Sequence, residues 1–331
     1  MKPDGLQSAH FPPLKNGSKV VVVLVKSAMT LDGAGSRMND FEAMAAALKA
    51  SGQYRVQRRL EPRLRINNAH GAPTKLGLFV DVETTGLDPT KHEIIELGMI
   101  PFSYLPDGLI CDIGPPFERF QEPTSPIPPE ITRLTGITDA MVAGKRIDVD
   151  AVRALVDRSS LVIAHNASFD RRFLERLSDA FVFKPWACSM SQVDWIDEGH
   201  EGVKLAYLAA GAGFFYDRHR AVHDCRAAIE LLAAPLPISG VPAMQKMLDK
   251  ARRPSWRIWA ENSPFDLKDV LKARGYRWNG DDNPNPRAWY IDVDDGQREA
   301  EIGFLCKEIY LREADLPVRE VTAFNRFSDR I

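Results

Sequence analysis

Cysteine is scarce in this chain: four residues, Cys111, Cys188, Cys225 and Cys306, with no CxxC pair among them. That excludes a disulfide-stapled scaffold, argues against a structural zinc site, and suits a reducing cytoplasm. Long apolar runs are missing too. The longest, Val20 to Val25, falls far short of the roughly 20 residues that a bilayer demands, so no membrane span is expected. The opening stretch MKPDGLQSAHFPPLK lacks an apolar signal core, which argues against secretion and for a cytoplasmic protein. There is no internal repeat and no low-complexity tract. With 331 residues, 44% apolar and 27% charged, the chain has the composition of an ordinary globular protein of two or three domains.

Net charge is also nearly absent, at −2, but it conceals an asymmetry. Residues 1–75 carry 12 Lys/Arg against 5 Asp/Glu, a net of +7; residues 76–236 carry 15 against 24, a net of −9; residues 237–331 carry 16 of each. An acidic middle does not look like a DNA-coating surface. It does look like a place that concentrates cations. In the basic N-terminal part, Arg55, Arg58, Arg59, Arg63 and Arg65 form either a solvated face or a phosphate contact.

The pattern along the chain divides it into four. Residues 1–75 offer a strand at Val20–Val25, a helix over about 40–50 capped by Asn39, a strand near 54–58, and a polar linker over 61–75. Residues 76–236 read as strands at 76–83, 93–102 and 107–113, helices near 129–135 and 148–157, a buried strand at 160–166, and helices at 167–178 and 219–233. Between them, six prolines in GPPFERFQEPTSPIPPEIT argue against regular structure. Strands first, then strand and helix in alternation, predict a mixed sheet with helices on its faces. Residues 237–254 are a linker with a helix at 243–251. Residues 255–331 hold four of the six tryptophans in the order β-α-β-β-α-β, which matches a small ferredoxin-like α+β domain. Its aromatics would either stack nucleic-acid bases or build a small core.

The stretch LGLFVDVETTGLD, residues 76–88, heads into a core yet carries Asp81 and Glu83 on one face, because side chains in a strand alternate. Adjacent carboxylates near an apolar core repel and lose hydration. Either the strand end is partly exposed, or a divalent cation lies between them. Two later acids bear on the choice. Asp170 falls amid the apolar arc of Phe169, Phe173, Leu174 and Leu177 on one helix; Asp224 lines up with Ala228 and Leu231 on another, five residues after His219. An ion pair or a helix cap would account for Asp170 alone. Four inward acids at three places fit better with two divalent ions about 3.5–4 Å apart, the arrangement that runs in-line phosphoryl displacement, with a histidine taking the water's proton.

DVETTG (81–86), HNASFD (165–170) and HRAVHD (219–224) resemble, in order, the three motifs of the DEDDh 3′→5′ exonucleases, the superfamily of the polymerase III proofreading epsilon subunit, RNase T and oligoribonuclease. The resemblance covers about 76–236. HEIIELGMI (92–100) and LTGITDAMV (134–142) fit the second strand and the helical connection of that fold. It implies an RNase H-like mixed sheet flanked by helices. It implies Asp81, Glu83, Asp170 and Asp224 as ligands of two Mg²⁺ or Mn²⁺ ions, and His219 as general base. Thr84, Thr85 and Gly86 would cradle the terminal nucleotide, with His165 and Asn166 near the substrate. His219 selects the His subtype; its Tyr counterpart carries Tyr four residues before the last acid, where this chain has Arg220. His223 has no role in the motif. The implied activity is metal-dependent release of nucleoside 5′-monophosphates from single-stranded 3′ ends of DNA or RNA. The rivals are a polymerase-bound proofreading subunit and a non-catalytic 3′-end-binding protein.

Overall fold

The computed structural model describes residues 34–280 and 285–331, so the expected strand Val20–Val25 lies outside the described residues. Two compact units emerge: residues up to Leu60 with Ala210–Phe215, and Glu61–Ala209 with Tyr216–Ile331.

In the smaller unit a helix spans Ala34–Ala50. It begins five residues before Asn39, so that residue is an interior helical position and not the expected cap; the flanking Ala, Arg and Met residues carry the helix onward at little cost. The strand expected near 54–58 is reduced to Arg58–Arg59, paired in parallel with Phe214–Phe215. Arg58 forms an ion pair with Glu42, and Arg59 stacks over Phe215.

The larger unit is built on a mixed six-stranded sheet. Its strands are β1 (Lys75–Thr84), β2 (Ile94–Tyr104), β3 (Ile110–Ile113), β4 (Phe117–Phe120), β5 (Leu161–Ala164) and β6 (Trp186–Cys188). The order is β3-β2-β1-β5-β6, with β4 also on β2. Pairing is antiparallel between β1 and β2 and between β2 and both β3 and β4, and parallel from β1 through β5 to β6. Strand β4 lies inside the proline-rich segment where no regular structure was expected. The prolines flank Phe117–Phe120 without interrupting it, so its backbone is free to pair with β2. The polar stretch 61–75 is not a free linker either. Ile66 donates to Cys111, Ile113 donates to Leu64, and Arg65 pairs with Asp112 at 2.6 Å, so the stretch covers the outer edge of β3. Arg63 pairs with Glu230; the basic cluster is thus largely matched by acids within the chain.

Its principal helices are α1 (Pro129–Thr135), α2 (Val149–Arg158), α3 (Ala167–Leu177), α4 (Ala221–Ala233) and α5 (Ala243–Arg252). Leu78, Val80 and Val82 of β1 join Val152, Val156, Phe173 and Leu174 in one apolar cluster beneath α2 and α3. The four cysteines are buried and unpaired with one another. Among the described residues no helix is long and apolar enough to cross a membrane.

Residues 255–331 carry their own sheet: β7 (Ser255–Ala260), α6 (Lys268–Ala273), β8 (Arg277–Trp278), β9 (Trp289–Asp294), α7 (Arg298–Phe304) and β10 (Val318–Val321). The element order is the expected one. The strands run β8-β9-β7-β10, antiparallel throughout, with Ile258, Leu271, Val293 and Leu305 in a separate core. Trp259 is 1% exposed and packs on Tyr290, whereas Trp278 stays 53% exposed at the edge. Core and surface thus divide the aromatics.

Gly98 decides how α4 seats. It stands opposite Asp81 on β2, and a Cβ there would meet the backbone of Ala221 and Val222 at 2.6 Å. The missing side chain lets the first turn of α4 rest directly on the sheet. Gly98→Ala should therefore destabilise the protein by about 1–3 kcal/mol through overpacking, read as a lower urea midpoint at unchanged slope.

Candidate active site

The four acids reach the site from three pieces of backbone. Asp81 and Glu83 alternate to the face of β1 that α4 covers, just before an irregularity between Glu83 and Thr84. Asp170 and Asp224 each occupy the first turn of a helix, α3 and α4, where the unpaired N–H groups and the helix dipole favour negative charge. Oxygens of Asp81, Glu83 and Asp224 converge within 4.8 Å of one another. Asp170 stands outside that trio. It is 2% exposed, and its Oδ1 accepts from the N–H of Val82 at 3.1 Å, locking the start of α3 to β1.

Such a cluster is costly to ionise. Burial, then repulsion from Asp170, Asp224 and Glu83, drives the Asp81 carboxyl well above the usual range. Glu83 is pushed up to about 8, first by burial and then by Asp224 and Glu96. Asp170 is likewise raised to about 8, chiefly by burial, against the opposing bond from Val82. Burial raises Asp224 too, although the hydroxyl of Tyr216 and the nearby His219 oppose the shift. A hard divalent cation with oxygen ligands answers this donor set: it would restore the charge that desolvation forbids. The residues present therefore fit such an ion.

His219 precedes α4 with φ 60°, a left-handed conformation that costs of order 1 kcal/mol outside glycine. The next residue holds it there. Arg220 donates to the fully buried Glu96 at 2.9 and 3.0 Å and to Glu118 at 3.1 Å, and its guanidinium lies 5.5 Å from the Phe120 ring. The N–H of Ala221 completes the coordination of Glu96 at 2.9 Å. Asp224 is oriented by Tyr216, whose hydroxyl donates to Oδ1 at 2.8 Å, and by the N–H of Arg220. Sequence reasoning passed over Glu96, Arg220 and Tyr216. Glu96 had a signal: it interrupts the apolar run IIELGMI as Asp81 interrupts its own. Tyr216 had none.

The remaining candidates are held by hydrogen bonds of their own. Thr84 Oγ1 donates to the Gly86 carbonyl at 2.6 Å, and Thr85 exchanges bonds with the backbone of Glu93. Gly86 has no room for a Cβ, which would lie 2.4 Å from the His92 ring. His165 is tied at both nitrogens, to Ser189 Oγ and to the Val203 carbonyl, each at 2.9 Å, and burial lowers it to about 4. It is therefore neutral and anchors the 189–203 loop. Asn166 starts α3 in a left-handed conformation, φ 90°. His223 Nδ1 lies 3.1 Å from the Asp217 carbonyl.

The exonuclease family model of RNase T matches residues 78–232. Exodeoxyribonuclease 10 of Escherichia coli (strain K12) is 31% identical over 184 residues, 54% of this chain and 76% of that protein. The PolC-type DNA polymerase III of Clostridium perfringens (strain 13 / Type A) is 33% identical over 158 residues, 46% of this chain but only 10% of the polymerase. Among solved structures, exonuclease X with 5′-overhanging duplex DNA aligns at 24% identity and TM-score 0.37, covering 51% of this chain and 99% of that one.

The raised carboxyls make stability depend on pH with a definite sign. Glu83 keeps its proton in the folded state up to about 8 but ionises above its ordinary 4.5 when unfolded. Stability is then fully present below 4.5 and is lost as pH rises towards 8. In chelator, the melting temperature of the wild type should fall over that window relative to Glu83→Gln, and Mn²⁺ should abolish the relative fall. Parallel melting curves with and without Mn²⁺ would contradict the electrostatic account.

Proposed function

The chain belongs to the exonuclease family of RNase T, that of the DEDDh enzymes, and from that premise we propose that it is a metal-dependent 3′→5′ exonuclease releasing nucleoside 5′-monophosphates from single-stranded 3′ ends. One observation carries the reading: three carboxylates from two distant parts of the sequence converge within 4.8 Å, with a fourth acid at the start of α3 and His219 just before α4. A protein that merely binds 3′ ends would have no use for His219 held in a strained conformation. DNA is the substrate this reading favours, on the strength of a relative named as an exodeoxyribonuclease.

Asp81, Glu83, Asp170 and Asp224 would hold two Mg²⁺ or Mn²⁺ ions. Bound there, such ions supply Lewis acidity, easing deprotonation of water and stabilising charge on the leaving oxygen. His219 takes the proton from the attacking water. The Arg220–Glu96 pair keeps His219 and Asp224 in register, and Tyr216 fixes the rotation of the Asp224 carboxylate. Thr84, Thr85 and Gly86 offer the terminal nucleotide a rim already rigid through its own hydrogen bonds. Asn166, at the start of α3, would meet the same nucleotide, and His165 braces the 189–203 loop.

A second reading, a proofreading unit working beside a polymerase, draws on the PolC-type relatives, of which this chain spans about a tenth. Binding to a polymerase and preference for mismatched primer ends would favour it.

Incubation of 5′-labelled single-stranded DNA with Mg²⁺ or Mn²⁺ should give a ladder shortening from the 3′ end, with RNA and duplex as comparisons. The ladder should vanish in chelator and in Asp81→Ala; persistence in either case would remove the metal mechanism.

Loss of the base should be separable from loss of the ions. His219→Ala should lower kcat by about 10²–10⁴-fold while changing KM far less. His223→Ala should stay near wild type, since its ring serves only the Asp217 carbonyl. Equal losses at the two histidines would refute the assignment.

A further inference from the structure

The matched exonuclease segment ends at residue 232, yet the part of the sheet behind Asp170 is finished by residues about 90 positions later. Arg171, the neighbour of Asp170 on α3, is 0% exposed. Its guanidinium donates to the carbonyls of Phe324 at 2.6 Å and Arg326 at 2.7 Å, and to Glu175 at 2.7 Å. Glu175 in turn accepts from Ser328 Oγ at 2.8 Å and Arg330 at 3.0 Å. The N–H of Trp186 on edge strand β6 donates to Ala323 at 2.7 Å, and Phe327 packs against the apolar cluster beneath α3. A buried guanidinium left without these acceptors would cost several kcal/mol, so the segment and the helix hold each other.

We infer that residues 322–331 are a working part of the catalytic fold, and that Arg171 is a positioning residue which, through this clamp, fixes the first turn of α3 and with it Asp170. A free C-terminal module would have no reason to supply backbone acceptors to a helix of the nuclease sheet. The shared geometry also explains why an arginine occupies so dry a position: its planar fork meets several carbonyls at once, which lysine cannot do. The kinetic part of this inference rests on the exonuclease reading; the structural part does not.

The amide of Val82 reports on the seating of Asp170 without reference to catalysis, because it donates to that carboxylate. The amide of Trp259, bonded to Pro317 in the C-terminal sheet, serves as the reference. In the full chain, metal-free, Arg171→Met should speed hydrogen exchange at Val82 about tenfold or more while leaving Trp259 unchanged. The tail-side variant Ser328→Ala/Arg330→Ala should act in the same direction, and decides the matter if Arg171→Met does not fold. With Mn²⁺ and single-stranded DNA, kcat should fall about 10–100-fold at temperatures where the variants are folded. Equal acceleration at both amides would reduce Arg171 to a general stabiliser and overturn the inference, as would wild-type exchange at Val82. If the wild type shows no nuclease activity, the functional reading falls, while exchange at Val82 still judges the clamp.

Discussion

Carboxylates pressed together away from water repel one another, and almost everything around Asp81 manages that repulsion. The strand brings two of them to one face, and two helices deliver the others at their positive ends. Single hydrogen bonds then take up part of the charge: Val82 for Asp170, Tyr216 and Arg220 for Asp224. Val82 and Tyr216 are neutral donors, and the guanidinium of Arg220 forms its ion pairs with Glu96 and Glu118. The fold concentrates negative charge without neutralising it. A purely structural site would end in an ion pair; this one ends in a demand for a cation.

The same constraint decides what was legible in the sequence. Asp81 and Glu83 stood out because a period of two set them against their apolar neighbours, and Asp170 and Asp224 because a period of 3.6 turned them inward. The central sheet could be read for the same reason, its strands being apolar runs in alternation with helices. What escaped depends on partners far apart in sequence. Glu96 and Arg220 are 124 residues apart, and Arg171 and Arg326 are 155 apart. No local pattern announces such pairs, although a buried acid in an apolar strand is a general warning. Strand β4 escaped for another reason: prolines were counted over the segment, when what matters is whether one interrupts the paired residues.

The flanks obey different rules. The arginine-rich stretch before the sheet invited a phosphate reading, but Arg58, Arg63 and Arg65 each meet a carboxylate of the chain itself. Exposed pairs of this kind contribute about 0–1 kcal/mol each, so they tether more than they stabilise. The tryptophans of the C-terminal sheet split between core and edge, and composition alone could not have assigned them.

The edge strand β6 has a consequence for how the protein is made. Its outer side is satisfied by residues near 323, which leave the ribosome about 90 residues after helix α4. Until then the nascent chain presents an unpaired strand edge beside an apolar cluster that still lacks Phe327, a state prone to sticking to a neighbour. Synthesis thus imposes an order: the sheet is laid down early, and its edge closes only after the small C-terminal sheet has been produced. A ribosome that stalls within the intervening stretch would release an open-edged protein, better suited to chaperones than to solution.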